Sequence, residues 1–177
     1  MNDRRVLMRR FIAYLVDWYV GSLAVAFPIA LFSQKLFGKS TVLNLIKFPE
    51  PYGVIAGFLS IICGLFYFVV VPVWIWKGQT LGKHILHLKI VRNNNADINI
   101  QTIVIREVLV IMLFEEGMYS ISAILQQIFT LLTHIQVVKT VVTIFWVITI
   151  VSSLLVVFSK NAQSLHDRIA HTKVIRV

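Results

Sequence analysis

The chain has 177 residues, 58% of them hydrophobic and only 14% charged, with a formal charge of +9. A mean hydropathy of +0.80 excludes an ordinary soluble domain, in which about a quarter of the residues are charged. The surplus Lys and Arg stand in blocks between apolar runs, which is how membrane topology is set and not how a nucleic-acid face is built.

MNDRRVLMRR opens the chain with Arg4, Arg5, Arg9 and Arg10 and leads into FIAYLVDWYVGSLAVAF. The start is basic, as in a signal peptide. The apolar run, however, is too long, contains Asp17 and lacks a small-residue cleavage site, so it reads as a retained first span over residues 11–31. Ala13, Asp17, Gly21, Ala24 and Pro28 recur at spacings of three or four and share one small or polar helix face. The loop from Ser33 to Tyr52 is long enough for a short interfacial helix, and its FPEP marks a turn into the next element. GVIAGFLSIICGLFYFVVVPVWIW, residues 53–76, is a second span without charge, ending in Trp74 and Trp76 as interfacial anchors. Its stripe of Gly53, Gly57, Ser60 and Gly64 is expected to meet the Gly21 face, because close backbone approach drives helix association in lipid. The lone Cys63 cannot form an intrachain disulfide.

The middle loop begins GQTLGKHILHLKIVR. It lacks the spacing of a phosphate-binding loop and reads instead as a turn that sets Lys83 at the headgroups. His84 and His87 have no Cys or carboxylate close enough in sequence to complete a metal set. HLKIVR is a β-type run, followed by the turn-forming NNNAD, and TKVIRV at the tail is another. The two are expected to pair as a ribbon tying the tail to the loop, with Asp167 as an anchor. A third span is placed at residues 104–126, although Arg106, Glu107, Glu115 and Glu116 interrupt it. The competing reading makes 101–114 an interfacial helix and starts the span at Gly117, and periodicity does not separate the two. The fourth span covers residues 137–158. Thirteen basic residues fall on the side of the termini and middle loop, against Lys35, Lys39, Lys47 and Lys139 on the other. Both termini are therefore expected in the cytoplasm. The expected fold is one all-α membrane domain over residues 1–177, with four transmembrane helices and a small cytoplasmic β-ribbon.

A charge near mid-bilayer costs at least about 2.5–3.5 kcal/mol, so Asp17 must be protonated, paired or facing a wet cavity. Arg10, two turns earlier on the same face, is its expected partner. Asp17 lies about 10 Å in from Arg10, and Glu115 and Glu116 about 14 Å in from Arg106, so the carboxylates share a depth. That arrangement suits an ion or proton path; the plainer reading is a structural ion pair that carries nothing.

These residues carry a resemblance. RFIAYLVD, Arg10 to Asp17, is similar to the opening signature of the RDD family of small bacterial membrane proteins. GQTLGKHILHLKIV resembles that family's central loop, and LHDRIAHTKVI its closing motif. The resemblance implies that Arg10, Asp17 and Asp167 fill the three namesake positions, that Gly78, Thr80, Gly82 and Lys83 match the loop, and that Thr172 matches the tail. The chain departs from the pattern at AHT, where a glycine often precedes the threonine, so the turn there is expected to differ. Sodium–proton exchange has been attributed to some members. The resulting expectation is a non-enzymatic cell-membrane protein, without cofactor or metal, that exchanges Na+ or another monovalent cation for H+ through Asp17 and Glu115 or Glu116. Four helices enclose little, so a homo-oligomer is expected. The alternative is an accessory or assembly subunit that docks another membrane protein.

Overall fold

The computed structural model describes residues 3–111, 120–135 and 163–177, together with positions 147, 150, 151, 154 and 155. Helix α1 (Asp3–Phe37) is a single rod of 35 residues, about 50 Å long at the α-helical rise. Pro28 lies inside it and is buried. The chain then folds back through a 3₁₀ turn at Leu45–Lys47, capped by the Asn44 side chain, and α2 (Tyr52–Leu65) starts directly after the FPEP turn. This loop is not a surface appendage. Leu45 is fully buried, and its N–H donates to Gln127 Oε1 at 2.8 Å.

Helix α2 continues as a wider π-type segment, Phe66–Ile75, that contains Pro72. Proline lacks an N–H and its ring collides with the carbonyl four residues back, and a π adjustment is one way a membrane helix absorbs both defects. After it come α3 (Leu81–Ile85), β1 (Leu88–Arg92), and α4 (Ile100–Ile103), which runs on as a second π-type segment, Val104–Ile111. Helix α5 (Ser120–Thr133), α6 (Leu165–Ile169) and β2 (Thr172–Arg176) complete the described elements. The two strands pair antiparallel, Leu88 with Arg176 through Arg92 with Thr172, which is the ribbon expected from HLKIVR and TKVIRV.

Among the described residues two helices, Val6–Phe37 and Tyr52–Ile75, are long and apolar enough to cross a membrane. Phe11, Tyr19, Leu23, Phe27 and Leu31 are exposed along α1, and Ile55, Phe58, Ile62 and Phe66 along α2 and its extension. Rows of large apolar side chains on this scale suit lipid, not water. Of the third predicted span, residues 104–111 and 120–126 are described and helical, but residues 112–119 lie outside the described set. Most of the fourth lies outside it as well.

The glycine faces pack differently from the expectation. Gly21 does face the second helix, where a Cβ would stand 2.4 Å from Phe68 Cζ. Gly53 and Gly57, by contrast, admit Leu131 and Ile128 of α5 and the returning Leu45 loop, while Gly64 receives Ile121 of α5 and Val25 of α1. The α2 stripe thus serves mainly α5 and the folded-back loop, which sequence spacing alone could not assign.

Candidate functional site

Asp17 is fully buried on the small face of α1. One carboxylate oxygen, Oδ1, accepts the Tyr67 hydroxyl at 2.7 Å and the Gly82 N–H at 2.8 Å. Oδ2 accepts the Thr80 hydroxyl and the Lys83 ammonium, the latter at 3.1 Å. Lys83 Nζ also donates to Thr80 Oγ1 at 3.1 Å, so the three groups close on one another. An ionised carboxylate offers about four lone-pair positions, and here protein donors take all four.

The TLGK segment reaches this depth because Gly82 has no side chain. A Cβ there would lie 2.2 Å from the Ala13 carbonyl oxygen and 2.9 Å from Asp17 Oδ1. Ala13 is itself 1% exposed, the methyl being about what the approaching loop tolerates. The alternating loop motif therefore has one physical purpose: Thr80 and Lys83 donate, and Gly82 lets them arrive. Gly78 does the equivalent at the ribbon, with φ at 88° and Ile90 donating to its carbonyl at 2.7 Å.

The second buried carboxylate is Asp167, also fully buried. Ser164 and Asp167 form a reciprocal capping box at the start of α6. Asp167 Oδ2 accepts Arg10 Nη2 at 2.8 Å and the Ser164 N–H at 3.1 Å, and Oδ1 accepts Arg106 Nη1. The same Arg106 nitrogen donates to Thr172 Oγ1 at 3.0 Å, while Nε donates to Glu107 at 3.0 Å. Adjacent residues rarely face each other on an α-helix, and the wider π turn lets Arg106 and Glu107 share one interior side. Burial alone would push the Asp167 carboxyl up. Arg106, then His166 and Arg10, outweigh it and hold the group well below the usual carboxylate range. Two arginines, Arg10 and Arg106, thus face two acidic side chains, Glu107 and Asp167.

These contacts correct three expectations. The Arg10–Asp17 pair is not the one formed: Arg10 reaches Asp167, and the cation on Asp17 is Lys83. Helical side chains lean toward the N-terminus of their helix, so Arg10 tilts away from Asp17 toward the tail. Lys83 is turned inward to Asp17, not out to the headgroups. Asp167 anchors the tail to α1 and the Val104–Ile111 segment; the middle loop is reached instead through the ribbon. Glu115 and Glu116 lie outside the described residues, so Asp17 is the described carboxylate of the expected path. At His171 the turn takes the left-handed conformation that glycine favours, with φ at 51°.

Three contributors escaped the sequence reading. Tyr67 had a signal, since a phenol in an apolar run needs a partner. Ser164 had one too, in S-x-x-D before a helix. Glu107 had one as an acid in an apolar run, but its contact with Arg106 is visible only in the folded chain. His84, weighed as a ligand, stacks on Trp76 with ring centroids 4.7 Å apart.

A family model described as the RDD family covers residues 4–171, and no curated protein or solved structure matches.

Proposed function

The chain belongs to the RDD family, and from that premise we propose that it acts as a non-catalytic membrane subunit that assembles with another membrane protein or with copies of itself. The observation that carries this reading is the saturation of the two buried aspartates by protein donors. Asp17 with Lys83, and Asp167 with two arginines, behave as closed fastenings that hold the loop and tail against α1. The first fastening pairs one cation with one anion, and the second balances its two arginines only with Glu107 counted beside Asp167, which is how buried charges are tolerated. On this reading the protein sits in a bacterial cytoplasmic membrane with four spans and both termini in the cytoplasm. The apolar faces of α1 and α2 meet lipid or a partner.

One observation favours a second reading, exchange of Na+ or another monovalent cation for H+. Lys83 is 17% exposed while Asp17 is sealed, so withdrawal of one lysine arm would free Oδ2 for a cation or proton. Flux in proteoliposomes separates the two. Under imposed sodium and pH gradients, wild type should match protein-free vesicles, and mild-detergent purification from native membranes should yield a fixed-stoichiometry assembly. Flux above background that disappears in Asp17→Asn would instead establish exchange and remove the subunit reading.

A further inference from the structure

At the ribbon end, a cleft of about 480 Å³ opens between the turn after β1, the start of α4 and the turn after α6. Arg92 lines it. Among the described residues no carboxylate pairs with this guanidinium, and its Nε is buried without a hydrogen-bond partner. A buried donor left unsatisfied calls for an explanation.

The asparagines around Arg92 add donors to the same cleft. Asn94 Oδ1 accepts the Ala96 N–H at 3.1 Å, and Asn99 Oδ1 accepts the Thr102 N–H at 2.9 Å. Asn93 Oδ1 accepts Gln163 Nε2 at 3.0 Å, and that nitrogen also donates to the Thr172 carbonyl at 2.7 Å. A backbone N–H only donates and a carbonyl only accepts, so these partners fix which amide atom is oxygen. All three oxygens are spent on the protein, and each asparagine keeps its NH2 group. The His171 ring adds a further polar group to the wall, and among the described residues no carboxylate lines the cleft. Ile105 and Ile169 close one side and are 38% and 49% exposed.

We propose that this cleft binds a phosphate-class oxyanion, borne by a lipid headgroup or by a free phosphate compound. The lining offers donors and one fixed positive charge, so it selects a ligand rich in acceptors. A carboxylate has about four lone-pair positions, fewer than the guanidinium fork, three amides and an imidazole can serve. A phosphate group presents more oxygens, and Arg meets them with a planar fork. The isoleucine wall suits an acyl or other apolar portion next to the charged group.

The test uses the full chain in detergent, with two probes: short-chain phosphatidylglycerol followed by native mass spectrometry, and inorganic phosphate followed by calorimetry. Phosphatidylcholine serves as the neutral reference lipid. Arg92→Gln removes the charge. Asn94→Asp keeps the oxygen that Ala96 needs but replaces the NH2 donor with an anion, so the turn survives. Arg176→Gln removes an equal charge from an exposed position away from the cleft. Loss of a charge-assisted bond is worth about tenfold or more. The expectation is at least about a tenfold loss in Arg92→Gln and Asn94→Asp, and under about twofold in Arg176→Gln. Binding of phosphatidylglycerol alone assigns the lipid as source, and binding of inorganic phosphate assigns a free compound. Binding of neither probe, equal loss in all three variants, or unchanged affinity in Asn94→Asp would overturn the proposal.

Discussion

Gly82 concentrates the chemistry of the Asp17 cap in one missing methyl group. Gly82→Ala drives a Cβ against the Ala13 carbonyl oxygen, a backbone atom that cannot rotate aside. Thermal unfolding in detergent should report a loss of about 2–3 kcal/mol, at the upper end of overpacking costs. Adding Ala13→Gly should not restore it, because the collision is with the carbonyl and not the methyl. Rescue by that second change would mean the loop is held off α1 by something else. Asp167 makes a different prediction. Its folded carboxyl titrates below the unfolded value near 4, so between the two the unfolded chain takes up a proton that the folded chain refuses. The stabilisation is therefore full above about pH 5 and is lost as pH falls below it. Asp167→Asn should cost about 3–5 kcal/mol at neutral pH, since it leaves Arg10 and Arg106 short of an anion. It should also flatten the acid limb of a pH-dependent melting series. An acid limb unchanged in the variant would show that other carboxylates set it. The sequence marked both aspartates and most of the residues around them, but not which pairs with which. Arg10 and Asp167 stand 157 positions apart, and no local spacing encodes such a meeting.

Among the elements, the α2 stripe shows what periodicity does and does not tell. Spacing identifies Gly53, Gly57 and Gly64 as one small face, and packing confirms that a helix approaches there. It cannot say which helix, because a groove of glycines accepts any side chain of suitable size. Here Ile121 and Ile128 of α5 fill it. At Gly57 a Cβ would meet the flexible end of Ile128, at 2.8 Å from both Cδ1 and Cγ1. Gly57→Ala should accordingly cost about 1–2 kcal/mol, and Ile128→Val in the same chain should return part of it. A double-mutant cycle should give a favourable coupling of about 0.5 kcal/mol or more. Additivity within error would place the two residues apart and remove α5 from the groove. The π-type segments were not legible for a related reason. Pro72 announces a defect in the helix, but whether a chain kinks, breaks or widens is decided by its neighbours.

At the scale of the whole molecule, three segments distant in sequence converge on one end. Arg9 donates to the Leu86 carbonyl at 3.2 Å, Arg10 pairs with Asp167, and the ribbon joins the middle loop to the tail. The start of α1, the middle loop and the tail must then share one side of any bilayer the molecule sits in. The far end of α1 lies about 50 Å away by its length, with Gly38 and the returning loop. The described basic residues divide along the same line, because charge counting and the ion pairs draw on the same arginines and lysines. Charge bias also carries the direction, which contacts cannot: the convergent end should be cytoplasmic. Cysteine labelling tests that in intact cells. Cys63 is partly exposed, so Cys63→Ala is the background, with Lys39→Cys and Asn94→Cys added singly at exposed positions on the returning loop and the ribbon turn. A membrane-impermeant maleimide should modify Lys39→Cys at once and Asn94→Cys only after permeabilisation. The reverse pattern would invert the orientation, and immediate labelling of both would show that α1 does not separate the two ends across the membrane. The same assay bears on function. Should Asn94→Cys be open from outside, the donor-lined cleft would face the outer leaflet, and its phosphate ligand would have to come from there.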